Sequence, residues 1–281
     1  MTRARMAEMQ SGGTWGSALT ADEFAAIRGA GFEPVGQVFG AAVHVAVSAT
    51  GAVCPGAWRS SDGGLEPFRP LARAMYQARQ AAIGRMVDEC VQLGGHGVVG
   101  VRLSDAVLPF GGLQFTAIGT AVRAPGAAAP RAPFTADVSG QDFAKLISTG
   151  WVPVGIAQGI SIGARHDDWT TARQARWNFR NAEVTGWTEL VNQCRHDARG
   201  QLAADVGRLG AEGVVLTAMR MRVSGRDCPV TVGQHDHVVE AIVTGTAIVS
   251  FPLAGERAAG LSSLVVMSLD PQRRQAARIR I

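Results

Sequence analysis

The sequence predicts an α+β protein built from two tandem copies of a small β-sheet domain, each with a short capped helix and one long amphipathic helix. Three observations support this prediction. A capped-helix block, a helix-to-strand motif and a closing strand each occur twice, in the same order. The 281 residues suffice for two domains of ordinary size. We therefore expect two similar halves joined by a linker.

The capped-helix block covers residues 20–36 (TADEFAAIRGAGFEPVG) and returns, 119 positions later, at residues 139–155 (SGQDFAKLISTGWVPVG). In both copies a hydroxyl residue stands three positions before an acid, which is the spacing of a capping box. A glycine is then expected to end the helix. The predicted cap and stop residues are Thr20, Glu23 and Gly31 in the first copy and Ser139, Asp142 and Gly150 in the second.

The long helix is predicted from apolar or small residues at steps of three and four, with 116 positions between the copies. The predicted stripes are Met75, Ala78, Ala82, Met86, Cys90 and Leu93, and Val191, Cys194, Ala198, Leu202, Val206 and Leu209. The motif that follows is LGGHGVVGVRL at 93–103 and LGAEGVVLTAMRM at 209–221. Gly94 and Gly210 suit a left-handed helix end. The valines after them favour a strand, so no phosphate cradle is needed to explain the glycines.

Two further matches inside the long helices suggest subunit contacts. Gly84 matches Gly200, and a mid-helix glycine costs about 1 kcal/mol relative to alanine. We expect such a position to allow close approach of another backbone. Arg79 matches Arg195, and these arginines are predicted either to pair with acids across an interface or to be solvated.

The closing strand, 115–124 and 240–250, ends each copy. The predicted organisation is a tail at 1–13, a first domain at 14–123, an Ala/Pro linker at 124–133, a second domain at 134–253 and a C-terminal tail at 254–281. Within that tail, residues 261–269 (LSSLVVMSL) are apolar enough to add one strand, and the remainder is expected to be partly disordered.

This unit resembles the YbjQ-like family, which is described as heavy-metal-binding. The resemblance is strongest over residues 71–122, where ARQAAIGRMVDECVQLGGHGVVGVRL is close to the family's signature, and it is weaker over 20–50 and 135–250. It implies an α+β subunit of about a hundred residues and ring-like homo-oligomers, typically pentamers. The second copy departs from the signature, since LTAMRM replaces GVRL and a tryptophan-rich segment fills its middle.

The composition favours self-association over other partners. Hydrophobic residues make up 47% of the chain and charged residues only 18%, with a net charge of +4. The arginines are scattered, which argues against a nucleic-acid partner. No apolar run is long enough to span a membrane and the N-terminus has no secretory signal, so a cytoplasmic location is expected. The Arg-rich C-terminus either contacts an acidic partner or is a mobile tail.

The candidate metal ligands lie in the second copy. His235 and His237 alternate with Asp236 before the closing strand, so a strand would place both imidazoles on one face. Cys228 precedes them, and a divalent transition metal such as zinc accepts this ligand set. The alternative is a polar loop with no metal. Apart from this possibility, no cofactor is predicted.

The sequence does not predict an enzyme. His166, Asp167 and Asp168 could supply acid–base groups, but no nucleophile motif accompanies them and a solvated loop is the favoured interpretation. Trp177 and Trp187 belong to an aromatic segment that could stack on a ligand. Large aromatic residues also dominate buried subunit contacts, and we expect that role for both tryptophans.

These observations together predict a self-assembling structural protein built from pentamer-forming units, which could close into a hollow cage. If both halves enter one ring, the ring has doubled pseudo-symmetry. If the halves enter different rings, each chain ties two rings together. The competing hypothesis is a metal-binding or metal-sensing module centred on His235 and His237.

Overall fold

The computed structural model describes residues 16–44, 68–108, 112–176, 183–228 and 235–251, together with residue 7 and residues 267–268. These residues form two four-stranded sheets, which confirms the α+β prediction. Sheet one has the order β1-β3-β2-β4 and sheet two the order β5-β7-β6-β8. The strands are β1 (Glu33–His44), β2 (Gly97–Val107), β3 (Leu113–Arg123), β4 (Phe134–Thr135), β5 (Trp151–His166), β6 (Gly213–Asp227), β7 (His235–Ser250) and β8 (Met267–Ser268).

The helices repeat in the same way. Each copy has a nine-residue helix followed, after its first strand, by a 24-residue helix. The second copy carries one additional short helix. The helices are α1 (Ala21–Gly29), α2 (Arg69–Gln92), α3 (Gly140–Ser148), α4 (Trp169–Arg176) and α5 (Thr185–Arg208). Among these helices none has the length and hydropathy of a bilayer-spanning segment.

The capping prediction is confirmed in full for α1 and in part for α3. The Thr20 hydroxyl accepts from the Glu23 backbone N–H, and the Glu23 carboxylate accepts from the Thr20 N–H at 2.8 Å. In α3 the Ser139 hydroxyl accepts from the Asp142 N–H at 3.1 Å. The Asp142 carboxylate accepts from the Ser139 hydroxyl rather than from the Ser139 backbone N–H, because aspartate is one methylene shorter than glutamate.

The helix-to-strand corner is also confirmed. Gly94 and Gly210 have φ angles of 71° and 66°, in the left-handed region that favours glycine at a helix end. Gly97 and Gly213 then begin β2 and β6. The last residue of each predicted stripe, Leu93 or Leu209, is the C-cap just beyond its helix. Leu93 is half-buried against the core, whereas Leu209 is 38% exposed, so the stripe prediction is wrong at Leu209.

The long helix of each copy packs on its own sheet through a glycine that the sequence analysis did not single out. A Cβ added at Gly40 in β1 would lie 2.6 Å from the Met86 nitrogen and closer still to the Ala82 carbonyl oxygen. A Cβ added at Gly159 in β5 would be 2.8 Å from the Leu202 nitrogen. Because these strand glycines have no side chain, the helix backbone can approach the sheet closely.

A buried acid beside this contact ties helix to strand in both copies. Glu89 of α2 accepts a hydrogen bond from the Phe39 N–H at 2.8 Å, and Asp205 of α5 accepts from the Gln158 N–H at 2.8 Å. Glu89 and Asp205 are equivalent residues of the two long helices, and Phe39 and Gln158 are equivalent residues of the two first strands. The helix therefore satisfies a strand donor that would otherwise be buried without a partner.

The sheet edges do not follow the halves of the sequence. β4 begins the second copy but pairs in parallel with β2 of the first, with Gly97 opposite Phe134. β8 pairs antiparallel with the corresponding edge of β6, with Gly213 opposite Ser268. The strand expected within 261–269 is therefore present as β8. The predicted domain bounds stay a prediction, because β4 belongs to the second copy by sequence and to sheet one by pairing.

Candidate assembly surfaces and a candidate metal site

The two halves of the chain pack against each other through α2. One face of α2 lies on sheet one, and a second stripe at steps of three and four contains Tyr76, Arg79 and Ile83. This stripe meets the second half, since α2 contacts β5 and the Arg208 guanidinium lies 5.5 Å from the centre of the Tyr76 ring. Isoleucines of β5 and β7 complete the same apolar cluster, so α2 is enclosed between the two sheets.

Arg79 is a buried charge beside this interface. Its guanidinium donates to Asp105 of β2 at 3.2 Å and lies 5.6 Å from the centre of the Phe115 ring. Burial lowers the pKa of Arg79, and the nearby carboxylates of Asp105 and Glu240 oppose that shift. Arg79 also lines a cleft of about 320 Å³ between the sheets, together with residues of both halves such as Arg220.

A second contact joins the short helices α1 and α3. The Glu23 carboxylate, which caps α1, also accepts from the Gly140 N–H at the start of α3, at 3.3 Å. Burial alone would raise the pKa of Glu23, but its hydrogen bonds with Thr20 and Gly140 outweigh this and lower it. One carboxylate therefore serves both halves. Three rings pack beside it, with centroids 5.0 to 6.3 Å apart, namely Phe32, Phe134 and Phe143.

The predicted interface residues fall into three groups. A Cβ added at Gly84 or Gly200 would meet no atom within 4 Å among the described residues, so the expected close approach does not occur within one chain. Arg79 pairs inside the chain, whereas Arg195 is exposed. Trp187 is half-buried and its indole N–H donates to Asp167 at 3.0 Å. Trp177 lies outside the described residues.

The predicted metal ligands His235 and His237 have separate partners. His235 is exposed and its Nδ1 lies 2.9 Å from the Asp227 carboxylate. His237 Nδ1 lies 3.1 Å from Asp167, and its ring centroid is 4.2 Å from that of Trp187. Strand β7 begins at His235, as the alternation predicted, but each imidazole is held by a different carboxylate.

A different group of potential ligands surrounds Cys228. The ligand atoms of His166, Cys228 and Asp236 all lie within 4.8 Å of one another, and His166 Nδ1 is 2.8 Å from the Asp236 carboxylate. Cys228 and Asp236 are buried and His166 is half-buried. Nitrogen, sulfur and carboxylate oxygen suit zinc, whose ligand atoms lie roughly 3–4 Å apart in a tetrahedral site. Small side-chain shifts would bring the three atoms to those distances.

The signal that could have located this group is the strand register. His166 ends β5 and Asp236 lies opposite it in β7. In the sequence His166 stands beside Asp167 and Asp168, and Asp236 stands between two histidines, so neither position indicates the other. Pairing the first strand of the copy with its closing strand would have brought the two residues together.

Comparison with known proteins identifies the family of this chain. A family model described as "Putative heavy-metal-binding" (YbjQ) matches residues 29–125. Over 244 residues the chain is 35% identical to an encapsulin nanocompartment protein of Mycobacterium tuberculosis, covering 83% of this chain and 84% of that protein. The chain belongs to the family of this encapsulin protein. Its first half carries the YbjQ-like domain that the sequence predicted, and the encapsulin alignment extends into the second copy.

Two shorter relatives match a single segment of the encapsulin-family chain. A UPF0145 protein of Clostridium perfringens is 50% identical over 46 residues, which are 16% of this chain and 43% of that protein. A second protein of that kind, from another strain of the same species, is 48% identical over 46 residues. Each of these matches covers 16% of the chain, whereas the encapsulin relative matches 83% of it.

Proposed function

We propose that this chain is a self-assembling structural protein that forms the shell of a hollow nanocompartment. The observation that carries the proposal is the 35% identity to an encapsulin nanocompartment protein over 83% of the chain. Similarity of that extent covers both YbjQ-like copies, so it includes the surfaces between them. Homo-oligomerisation is therefore the primary role, and copies of this chain are its main partners.

The interface between the two halves supports this proposal. It joins two copies of one unit through an apolar cluster, an ion pair between Arg220 and Asp105, and a shared capping carboxylate. A unit that carries two complementary surfaces can bind one similar unit through each of them. Repeated binding of this kind builds larger assemblies. The low charge content, 18%, also favours extensive subunit contact.

We further propose that both halves enter the same ring. The halves already pack side by side, so a ring built by repeating that contact contains an even number of YbjQ-like units. A pentamer of whole chains, with ten such units, satisfies both this parity and the five-fold symmetry that the family resemblance implies. Curvature between such rings would then close the shell.

The remaining parts of the proposal concern the location, the activity and the partners of the chain. We propose a cytoplasmic shell protein without catalytic activity, with no nucleic-acid or membrane partner. The Arg-rich C-terminal segment 270–281 is proposed to contact an acidic partner, because it contains four arginines and a single acid, Asp270.

The test of the proposed function is the size of the purified particle. Light scattering and negative-stain imaging at micromolar concentration are expected to give particles many times the 29.4 kDa mass of one chain, with hollow profiles. A single species of 29.4 kDa at that concentration would refute the proposal. Intact rings that never close would refute the shell and leave the homo-oligomer.

Metal binding is a second candidate function, and the group formed by His166, Cys228 and Asp236 favours it. The experiment uses protein purified without a histidine tag, titrated with zinc and followed by calorimetry and elemental analysis. We expect about one zinc per chain, lost in Cys228→Ser and retained in His235→Ala, whose imidazole is exposed. Loss in His235→Ala with retention in Cys228→Ser would instead favour the original pair of histidines. No bound zinc in the unaltered chain would end this candidate.

A further inference from the structure

We infer that copies of this chain bind one another head to tail, the outer side of α5 and β6 in one copy contacting the open face of sheet one in the next. The inference rests on the proposed self-assembly and names its interface. The head surface is formed by Ala41, Val43, Gln114, Thr116 and Ile118. The tail surface is formed by Arg195, Arg199, Met219, Met221 and Val223.

The head surface is the counterpart of a face that is buried in the other half. In sheet two, Ile160, Ile162 and Ile242 are 0%, 6% and 7% exposed, because the first half packs over them. The repeat offsets place Ala41, Val43 and Thr116 at the equivalent positions of sheet one. Val43 is 52% exposed, and the other two are only half-buried.

The burial of the residues along β5 and β1 shows the same difference between the two sheets. In β5 nearly every residue is buried, which requires cover on both faces of the sheet. In β1 buried and half-buried residues alternate, which is the pattern of a strand covered on one face. The face of β1 that packs on α2 contains Val38 and Ala42, so the face that contains Ala41 and Val43 is the open one.

The tail surface is the counterpart of the α2 stripe. Tyr76, Arg79 and Ile83 contact the second half, and their equivalents in α5 are Asn192, Arg195 and Arg199, all exposed. Beside them β6 presents Met219, Met221 and Val223, which are 47%, 38% and 53% exposed. A row of exposed apolar side chains on one strand is typical of a surface that a partner covers.

The chemistry of the two surfaces is complementary. In the contact inside the chain, Arg79 faces Glu240, and Glu240 corresponds to Gln114 in sheet one. Arg195 of one copy would therefore meet the Gln114 amide oxygen of the next, which can accept from a guanidinium. By the repeat, the apolar row on β6 is equivalent to the side of β2 that lies next to the second half. In the contact between chains this row would therefore lie near Thr116 and Val43 of the next copy.

A second copy of the chain is the occupant because the chain already contains one instance of this contact. Forming it uses the tail surface of the first half and the head surface of the second half. The head surface of the first half and the tail surface of the second half remain available. Because these two surfaces differ, the contact between chains is heterologous, and repeated contacts close into a ring or run as a filament.

The experiment places an arginine on each surface separately. Val43→Arg blocks the head, Met221→Arg blocks the tail, and Val91→Arg is the matched control at an apolar residue of α2 that is 56% exposed. Each variant is purified and its mass measured by light scattering, with circular dichroism to confirm folding. If Val43→Arg or Met221→Arg fails to fold, Thr116→Arg and Met219→Arg replace them on the same surfaces.

We expect Val91→Arg to assemble like the unaltered chain, and each blocked variant alone to remain at 29.4 kDa. A mixture of the head-blocked and tail-blocked variants should contain a species of twice that mass, since one intact head and one intact tail remain between them. Neither variant should form this species alone.

The outcomes separate this inference from the proposed function. If the unaltered chain is a monomer, both are wrong. If it assembles and the blocked variants assemble equally well, only the head-to-tail contact is wrong. Assembly of one blocked variant but not the other would indicate a symmetric contact and would also overturn the inference, as would a mixture that gives no species of doubled mass.

Discussion

The close approach of α2 to sheet one at Gly40 gives a sharp stability prediction. We expect Gly40→Ala to destabilise the first half strongly. The added Cβ would lie 2.6 Å from the Met86 nitrogen and even nearer to the Ala82 carbonyl oxygen. Both obstacles are helix backbone, so no side-chain rotation relieves the overlap, and α2 must move by roughly 1.5 Å to restore van der Waals contact.

The magnitude follows from that displacement. Overpacking a close-packed core costs typically about 1–3 kcal/mol, and a rigid backbone obstacle places this variant at the upper end, about 3 kcal/mol. For a chain of this size about 1 kcal/mol corresponds to roughly 2–4 °C in Tm, so Tm should fall by roughly 6–12 °C. Movement of α2 would also disturb the Phe39–Glu89 hydrogen bond and the contact with sheet two.

The matched control is Gly84→Ala in the same helix. Its added Cβ meets no described atom within 4 Å, and alanine is favoured over glycine inside a helix by about 1 kcal/mol. We expect Tm to rise by a few degrees. Thermal unfolding of both variants, at equal protein concentration because assembly stabilises the fold, measures the contrast. A loss below about 1 kcal/mol in Gly40→Ala, or a larger loss in Gly84→Ala, would refute the packing argument.

Three further predictions concern buried polar groups. Asp205→Ala leaves the Gln158 N–H without its acceptor at 2.8 Å, and chemical denaturation should show a loss of about 1–3 kcal/mol, whereas Asp205→Asn should lose less. Burial raises the pKa of Asp137 above its ordinary value of 3.8 despite hydrogen bonds from two threonines. The folded chain therefore binds this proton more tightly than the unfolded chain. Its contribution to stability falls as the pH rises from the unfolded through the folded pKa, and Asp137→Asn should remove that slope in urea titrations at different pH. Burial raises the pKa of Cys90 to about 12 and that of Cys194 to about 11. Alkylation at neutral pH, followed by mass spectrometry, should leave both thiols unmodified until the chain is unfolded; rapid modification of the native chain would contradict their burial.

The candidate metal site shows where local reasoning fails. Two histidines alternating in a strand lie on one side of it, and that part of the prediction follows from strand geometry alone. Which carboxylate reaches each imidazole depends on the neighbouring strand and on α5, which supplies Trp187. Because the register of β5 against β7 places His166 opposite Asp236, the potential metal ligands are these two residues with Cys228 rather than the pair of histidines.

The interface residues show the same limit. Arg79 and Arg195 occupy equivalent positions in sequence, yet one is buried in an ion pair and the other is exposed. Arg79 lies on the side of α2 that packs against the second half, whereas no described element covers Arg195 on the equivalent side of α5. The packing of the neighbouring half of the chain, rather than residue type, decides their environment.

The sequence by itself determined the duplication, the helix caps, the glycine corners and the amphipathic stripes, because each depends on residues close in the chain. The tertiary structure alone decided that β4 crosses to the other copy's sheet, that α2 is enclosed between two sheets, and that one face of sheet one stays open in the described part of the chain. These features depend on contacts between residues far apart in sequence. Two nearly identical local patterns can therefore acquire different neighbours, and only the folded chain shows which neighbours they have.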